Sequence, residues 1–404
     1  MTRGSWRTPA VVLVCGSAIL TLALGIRHGF GLYLQPMSMD HGWGREVFGL
    51  AIALQNLLWG LSQPFTGMFA DRYGAGRVLL AGAIAYALGL VCMAMASTPL
   101  AFILGVGIFI GFGMSGTTFN IVYGALARAF PPEKRSMVLG VGSAAGSFGQ
   151  FALLPVALAL ISWQGWFGAL IVMSFVALLM VPLSFGVADR GYATHGHGHG
   201  TGATLKEALH EAFGERNFWL LAAGYFTCGF QIVFIGTHFP AFLLDSGLSA
   251  ADGTISLALI GLFNIFGSYA AGWLGGRFPK TYLLSILYAI RGVAMLALLA
   301  LPLTPASVYI FASVFGFVWL GTVPLTNGVV AAMFGVKHFA TLSGVVNLSH
   351  QIGSFFGGWL GGYLYDATGS YQVAWTIAIA LSVVAALVNL PIDERPVGRQ
   401  AAAA

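Results

Sequence analysis

Long apolar segments, separated by short polar loops, recur along the whole chain and constrain its fold more than any other feature. Only 8% of the 404 residues are charged, whereas soluble domains have roughly 25%. Lipid cannot hydrogen-bond an exposed backbone, so each segment long enough to cross the hydrocarbon layer is predicted to be a helix. The predicted spans are 9–36, 46–70, 77–96, 99–127, 136–162, 164–187, 217–244, 250–276, 281–301, 304–334, 339–365 and 371–391. The fold class predicted is an all-α membrane protein with twelve transmembrane helices in two six-helix halves.

The basic residues of the loops are distributed unequally between the two sides of the predicted bundle. If both termini lie on the inner side, Arg45 is the one basic residue among all 18 that falls on the outer side, and Arg27 and Arg291 fall within spans. This asymmetry follows the positive-inside rule. It predicts an integral protein of a bacterial inner membrane with both termini in the cytoplasm.

The start of the chain has features of a secretory signal peptide, because Arg3 and Arg7 precede an apolar run. That run is longer than a signal peptide, contains a basic pair and is followed by many more spans. We therefore predict that it is the first transmembrane helix. Prolines are predicted to close this span and the seventh one, at Pro36 and Pro240.

One longer polar stretch divides the chain into a half at 1–187, a linker at 188–216 and a half at 217–404. The end of the linker has helical spacing of apolar and acidic residues, which predicts an amphipathic helix at the inner membrane surface. Alternating histidines precede it, at His195, His197 and His199. They are of a kind that can bind a transition metal, but without carboxylate or cysteine partners we favour a flexible linker.

Other classes of protein are disfavoured by composition and pattern. The three cysteines, Cys15, Cys92 and Cys228, all lie in apolar segments, which indicates neither a disulfide framework nor a metal site. The net charge of +5 comes from short loops between spans, so we predict no nucleic-acid partner. The chain has no paired acids and no nucleophile–base signature, and we predict neither an enzyme nor a bound cofactor.

The two halves repeat each other at an offset of about 204–207 residues. Gly67 to Arg72 after the second span is echoed by Gly272 to Arg277 after the eighth, and Gln231 occupies the place of Arg27. Duplicated halves that hold a substrate between them near the midplane are one of the known transporter architectures.

The loop after the second span resembles the corresponding loop of the Major Facilitator Superfamily. The matching residues are Gly67, Asp71, Arg72, Gly74 and Arg77. The resemblance implies that this loop is a conformational latch, which clamps the inner ends of the two halves together in the outward-open state. The second copy has Gly276 in place of the acid and is expected to be the weaker latch.

Within that superfamily, the chain is similar to the monocarboxylate and oxalate transporter group. The similarity is carried by the aromatic and basic start of the fifth span at 130–135, its small residues at 140–147, and 29–33 in the first span. It implies that a side chain near His28 handles a carboxylate. The group commonly has an arginine in the eighth span, where this chain has Asn264 and Ser268, and Arg291 lies in the ninth span instead.

The predicted substrate site is centred on Arg27 and His28. A charged side chain deep in a bilayer costs roughly 2.5–3.5 kcal/mol on insertion scales, so it is retained mainly where it binds something. Polar residues at helical spacing in the fourth, fifth, tenth and eleventh spans are expected to face the same interior. The predicted substrate-binding residues are Arg27, His28, Asn120, Tyr123, Gln150, Gln231, Asn264, Arg291, Asn327, Asn347 and His350. A purely structural Arg27, buried for packing, is the alternative.

Charge then indicates the substrate class. Two permanent cations and no deep carboxylate attract an anion and repel a cation, and an arginine fork fits a carboxylate. We predict a secondary active or facilitative transporter of a small mono- or dicarboxylate, working by alternating access as a monomer in the bilayer, with or without proton symport.

Two alternatives are kept open. One is an efflux antiporter of drugs or metabolites, because 142–149 partly resembles an antiporter signature. The other is a non-transporting sensor with the same fold, which the short soluble segments disfavour.

Overall fold

The computed structural model describes residues 7–130, 132–188, 205–334 and 339–397, and within these ranges all regular structure is helical. The first half contains nine α-helices and one π-helical segment, Gly105–Ile110, between α5 and α6. The α-helices are α1 Pro9–His28, α2 Gly31–His41, α3 Arg45–Tyr73, α4 Ala75–Met95, α5 Pro99–Leu104, α6 Gly111–Thr117, α7 Phe119–Ala129, α8 Pro132–Leu178 and α9 Met180–Val187.

The remainder of the chain contains a short helix followed by seven longer ones. They are α10 Leu205–Gly214, α11 Arg216–Asp245, α12 Ala250–Gly275, α13 Lys280–Ala300, α14 Pro305–Phe317, α15 Thr322–Phe334, α16 Phe339–Thr368 and α17 Gln372–Asn389. Helix α10 coincides with the predicted amphipathic helix, whereas His195, His197 and His199 lie outside the described residues. The division of the chain into 1–187, 188–216 and 217–404 stays a prediction.

Several helices begin where the sequence supplies both a cap and a proline. Thr8, Thr98 and Thr304 each accept a hydrogen bond from a backbone N–H of the first turn, and each is followed directly by proline. The threonine oxygen satisfies one of the unpaired amides of the helix start, and the proline has no amide to leave unpaired.

In the described ranges, nine segments are long and apolar enough to cross a membrane. One of them, Val141–Val187, is 47 residues long and contains most of α8 and all of α9. Helix α8 has a kink at Gly165, where φ is 72° and ψ is 174°, a conformation that favours glycine. Helices α3 and α16 are also long enough, with 29 and 30 residues, but are not among the nine. The all-helical class is confirmed, and the count of twelve spans stays a prediction.

The two prolines that were predicted to close spans do not end helices. Pro36 lies inside α2, which continues to His41, and Pro240 lies inside α11, which continues to Asp245. The prediction was wrong because it applied a rule from soluble helices. Within a membrane, a helix beyond a proline still satisfies its own backbone better than any coil, so the helix continues.

The helix bundle has two ends, which we call the terminal side and the distal side. The terminal side is the end of the bundle where α1 begins. The last described residues of the chain contact the start of α13 there, because Lys280 Nζ lies 3.6 Å from Glu394 Oε1. The distal side is where α2 ends and α3 begins. Helices α1 to α9 pack mainly on one another, as do α11 to α17. Between the two groups, α3 packs along α16, α8 along α12, and α2 against α11.

On the distal side the two groups are joined by a set of charged contacts, which we call the distal clasp and define as Arg45, Asp245, Asp366 and Tyr371. Arg45 Nη1 and Nη2 donate to the two carboxylate oxygens of Asp245 at 2.5 and 2.8 Å. Arg45 Nη1 also lies 3.0 Å from the Tyr371 hydroxyl. The two oxygens of Asp366 accept the backbone N–H groups of Arg45 and Glu46 at 3.0 and 2.8 Å.

Asp366 therefore caps the start of α3 from the opposite half of the molecule. A carboxylate at a helix N-terminus is favourable, because the free amides there carry partial positive charge. The guanidinium of Arg45 is only 11% exposed, so its pair with Asp245 is weakly screened by solvent. Arg45, the one basic residue that the sequence assigned to the outer side, thus helps to join the halves.

Replacing Asp245 with alanine should loosen the distal side. Charge-assisted hydrogen bonds are worth roughly 1.5–3 kcal/mol, and the Arg45 guanidinium would keep only its contacts with Tyr365 and Tyr371. We expect faster amide hydrogen exchange at the start of α3 and the end of α11, measured by mass spectrometry. The control is Arg395→Ala, whose pair with Asp393 is exposed and joins neighbouring residues. Unchanged exchange at both helix ends would show that the clasp does not hold the halves.

Candidate functional site

Arg27 lies at the end of α1 and is held from one side by α3. Its Nη2 donates to Asn56 Oδ1 at 2.6 Å, and the guanidinium carbon lies 5.1 Å from the centre of the Trp59 ring. Asn56 is oriented in turn, because its Nδ2 donates to the Ile52 carbonyl at 2.7 Å. The indole of Trp59 is fixed by a 3.2 Å hydrogen bond from Nε1 to Thr118 Oγ1.

Most donors of this guanidinium have no hydrogen-bond partner among the described residues. Arg27 Nε is buried without a hydrogen-bond partner, and Nη1 has no acceptor among the described residues. A guanidinium has five N–H donors in a planar fork. One of them is used by Asn56, so the group can still form a two-point contact with a carboxylate.

His28 follows Arg27 and faces the same space. Its Nδ1 lies 2.6 Å from the Leu24 carbonyl. A carbonyl only accepts, so Nδ1 is the donor, and the neutral ring then has a lone pair on Nε2. The ring can therefore accept a proton at Nε2 without losing its hydrogen bond to α1.

Arg27 and His28 line a small cavity between the two halves. The cavity is lined by Arg27, His28, Phe30, Ile52, Gln55, Ile232, Val233, Gly236 and Thr237. The second half contributes only α11 and no charged group to this lining, and no lining residue carries a carboxylate. The described lining thus has a cationic end in the first half and a mainly apolar surface in the second.

The distal end of the cavity is closed by direct backbone contact between α2 and α11. A side chain on Gly31 would collide with the carbonyls of Gly236 and Thr237, so only glycine permits this approach. Further toward the distal side, the clasp joins the same two halves. In this conformation the cavity is therefore closed from the distal side.

Three residues of α3 at the site were not predicted from the sequence: Gln55, Asn56 and Trp59. The two amides are adjacent in the middle of an otherwise apolar part of α3, between Val47 and Gly60. A pair of amides at that depth is costly unless it is hydrogen-bonded, so it could have been recognised as part of a polar interior.

Arg291 and Gln231, both predicted to bind substrate, lie together within the second half. Arg291 is fully buried and donates to the carbonyls of Val318 and Trp319. Its Nη1 lies 3.3 Å from Gln231 Oε1. The amide nitrogen of Gln231 donates to Ala378 O and Ser382 Oγ at 3.0 and 2.6 Å. In this conformation both side chains are hydrogen-bonded by several protein groups, and neither is among the residues that line the cavity.

Asn264 and Gln150 connect the halves along α8 and α12. Asn264 Nδ2 donates to Ser147 Oγ at 3.1 Å, and Gln150 Nε2 donates to the Leu257 carbonyl at 3.1 Å. Both side chains are buried, with about 1% exposure. The amide nitrogens of both side chains thus make contacts between the halves, and neither residue is among those that line the cavity.

The remaining predicted residues are spread over other helices. Asn347 Nδ2 donates to Gln63 Oε1 across the halves at 2.9 Å, and Asn327 Nδ2 donates to the Val323 carbonyl at 3.0 Å. The His350 ring lies 4.7 Å from that of Tyr225, and the Tyr123 ring lies 5.1 Å from that of Phe119. The Asn120 side chain lies outside the described residues.

The predicted latch is only partly described. Gly74 separates α3 from α4 with φ at 93°, and Arg77 is exposed in the first turn of α4. Gly67 has open space around its α-carbon. The side chains of Asp71 and Arg72 lie outside the described residues, so the latch stays a prediction.

Comparison with known proteins gives the same family as the loop motif. The sequence profile of the Major Facilitator Superfamily matches residues 13–358. Mouse (Mus musculus) monocarboxylate transporter 11 is 27% identical over 385 residues, with 91% of this chain and 83% of that protein covered. The oxalate:formate antiporter of Oxalobacter formigenes is 24% identical over 396 residues, with 95% and 92% covered.

A solved structure shares the fold. The crystal structure of a bacterial homolog to the human lysosomal transporter Spinster, in an inward-facing and unoccupied conformation, aligns with a TM-score of 0.71 and 18% identity. The alignment covers 96% of this chain and 95% of that one. The family match extends over most of the chain, and the helical architecture agrees with it. The chain belongs to the Major Facilitator Superfamily and is an integral-membrane transporter, as its loop after the second span predicted.

Proposed function

We propose that this transporter moves a small organic monocarboxylate by alternating access, with Arg27 binding the carboxylate. The observation that carries the proposal is the arrangement of Arg27: Asn56 and Trp59 hold it in place while Nε and Nη1 have no partner among the described residues. A structural arginine would be expected to use its donors within the protein, as Arg291 does. The guanidinium of Arg27 instead retains donors for an anion.

Charge and polarity favour one carboxylate over two. The cavity has a single permanent cation, and its C-terminal-half lining consists of Ile232, Val233, Gly236 and Thr237. A second carboxylate would lie against that apolar surface and lose its hydration without a counter-charge. The names of two relatives, a monocarboxylate transporter and an oxalate:formate antiporter, support an organic anion.

Alternating access is supported by the uneven contacts between the halves. The distal clasp and the approach of α2 to α11 close the distal side. The inward-facing neighbour has the same fold. We propose that the terminal side is cytoplasmic, that the membrane is a bacterial inner membrane, and that the protein functions as a monomer. Opening the distal side then requires the clasp to separate, and the latch at Asp71 is proposed to hold the terminal side closed in that state.

Replacing Arg27 tests the site directly. Charge-assisted hydrogen bonds worth roughly 1.5–3 kcal/mol correspond to about 10- to 100-fold in affinity. Arg27→Gln should weaken binding of small monocarboxylates by that factor, and Arg27→Lys should recover part of it, because an ammonium keeps the charge but loses the fork. Affinity and melting temperature are measured on the same purified variants. If Arg27→Gln melts lower and binds acids normally, Arg27 serves packing; if only amines bind the wild type, the anion proposal fails.

Asn56→Asp tests whether substrate binding requires that Arg27 has no carboxylate partner in the protein. An aspartate at this position would place a carboxylate where Asn56 Oδ1 now meets Arg27 Nη2, and so compete with the substrate. We expect a loss of affinity of about 10- to 100-fold, from a charge-assisted bond of roughly 1.5–3 kcal/mol. The control is Asn389→Asp, because Asn389 also donates to a carbonyl one turn earlier but lies outside the cavity lining. Equal losses in both variants would contradict the role of Asn56.

His28 is proposed to carry the coupled proton, because its ring lines the cavity and is anchored through Nδ1, which leaves Nε2 to accept a proton. Uptake of a labelled acid into proteoliposomes is measured with and without an imposed pH gradient. His28→Gln should abolish gradient-driven accumulation but preserve exchange of the acid. His350→Gln, a control at a histidine outside the cavity lining, should retain accumulation. If both variants accumulate the acid, the carrier is not a histidine; if the wild type ignores the gradient, facilitated diffusion or anion exchange is the better description.

A further inference from the structure

The second half contains a helix that is broken within the apolar interior. Helix α14 ends at Phe317 and α15 begins at Thr322, so residues 318–321 form an unwound turn between them. An unwound turn leaves backbone carbonyls and amides without their helical partners. At this depth no lipid can replace those partners, so the protein must supply them.

The free carbonyls of the turn are bound by one side chain, Arg291 of α13. Its Nε and Nη2 donate to the Val318 carbonyl at 3.0 and 2.8 Å, and Nη2 also donates to the Trp319 carbonyl. Nη1 meets Gln231 Oε1 at 3.3 Å, and Nη2 lies 3.4 Å from Thr322 Oγ1. The guanidinium is fully buried, and no carboxylate among the described residues pairs with it.

A buried cation surrounded by neutral oxygens has an electrostatic explanation here. The C-terminal end of α14 carries partial negative charge from its unpaired carbonyls, which stabilises a cation placed against it. Carbonyls of an interrupted membrane helix are also the ligands with which transporters coordinate small cations. The two carbonyls and one hydroxyl that contact Arg291 at 318–322 are oxygen ligands of the same kind.

The turn also has an amide without a helical partner, and this amide is linked to the other half of the molecule through Asn264 of α12. Leu320 N donates to Asn264 Oδ1 at 3.0 Å, and Asn264 Nδ2 donates to Ser147 Oγ at 3.1 Å. Ser147 belongs to α8 of the first half. The geometry of the broken turn is thus connected, through one asparagine, to a contact between the halves.

We propose that the broken turn is a monovalent-cation site whose resident ion is the guanidinium of Arg291. Arg291 is then a positioning residue: it holds the turn so that Leu320 N–H meets Asn264 and Asn264 meets Ser147. This role is independent of the substrate proposed above, because it rests on contacts outside the cavity. The ligand class that replaces the side chain is a small planar monovalent cation.

The test separates the charge of Arg291 from its volume. Arg291→Ala removes both, and Arg291→Met restores most of the volume without the charge. Melting temperature is measured in lipid nanodiscs during a titration with millimolar guanidinium chloride at constant ionic strength, with tetramethylammonium chloride as the comparison salt. We expect both variants to melt several degrees below the wild type, and guanidinium to restore Arg291→Ala but not Arg291→Met. Arg395→Ala, at an exposed ion pair, should not respond.

The contrary result is equally clear. If Arg291→Met melts like the wild type and guanidinium does not stabilise Arg291→Ala, the residue is a space-filling side chain and the proposal is overturned.

A second measurement applies even if Arg291→Ala cannot be purified. Arg291→Lys and Asn264→Ala should each accelerate hydrogen exchange of the Leu320 amide, because the first loosens the turn and the second removes the acceptor. The control is Asn327→Ala, whose side chain bonds only to the Val323 carbonyl of its own helix. Unchanged exchange at Leu320 in both variants also overturns the proposal.

Discussion

The constraint on which this structure depends is that every polar group within the hydrocarbon layer must be satisfied by the protein itself. Two arginines within the spans, the half-buried Arg27 and the fully buried Arg291, differ in how they satisfy it. Arg291 gives its donors to carbonyls of a broken helix and to one glutamine. Arg27 gives one donor to Asn56 and lies over Trp59, and has further donors that no described residue accepts. The same residue type is structural in the first case and is proposed to be functional in the second.

The interface between the halves combines strong and weak contacts. The distal clasp uses a two-point ion pair and a carboxylate that caps a helix of the other half. Deeper in the molecule, the halves meet through single neutral hydrogen bonds, from Gln150 to Leu257, from Asn264 to Ser147 and from Asn347 to Gln63. Neutral bonds contribute roughly 0.5–1.5 kcal/mol each, so they can be exchanged for others when the halves move.

The two proposals assign substrate binding and the movement of the halves to different parts of the second half. Its contribution to the cavity is the mainly apolar surface of α11, from Ile232 to Thr237. Its polar network lies elsewhere, around the broken turn between α14 and α15. A substrate that is bound by charge in one half and by apolar contact in the other contacts both halves at the same time. The network behind α11 then connects that half to the first one through Asn264.

Sequence alone determined the features that follow from composition and local pattern. Hydropathy, loop charge and the loop after the second span identified an all-helical membrane protein and its superfamily, since these signals depend on neighbouring residues and not on packing. The presence of two deep arginines was also evident from the sequence. Their different hydrogen-bonding surroundings were decided by tertiary structure, because hydropathy is the same for a guanidinium with many partners and for one with few. The partners of Arg27 lie on α3, 29 residues away at Asn56, and those of Arg291 lie 27 and 28 residues away on a broken helix. Spacing along one helix cannot show such contacts, which arise only when separate helices pack side by side.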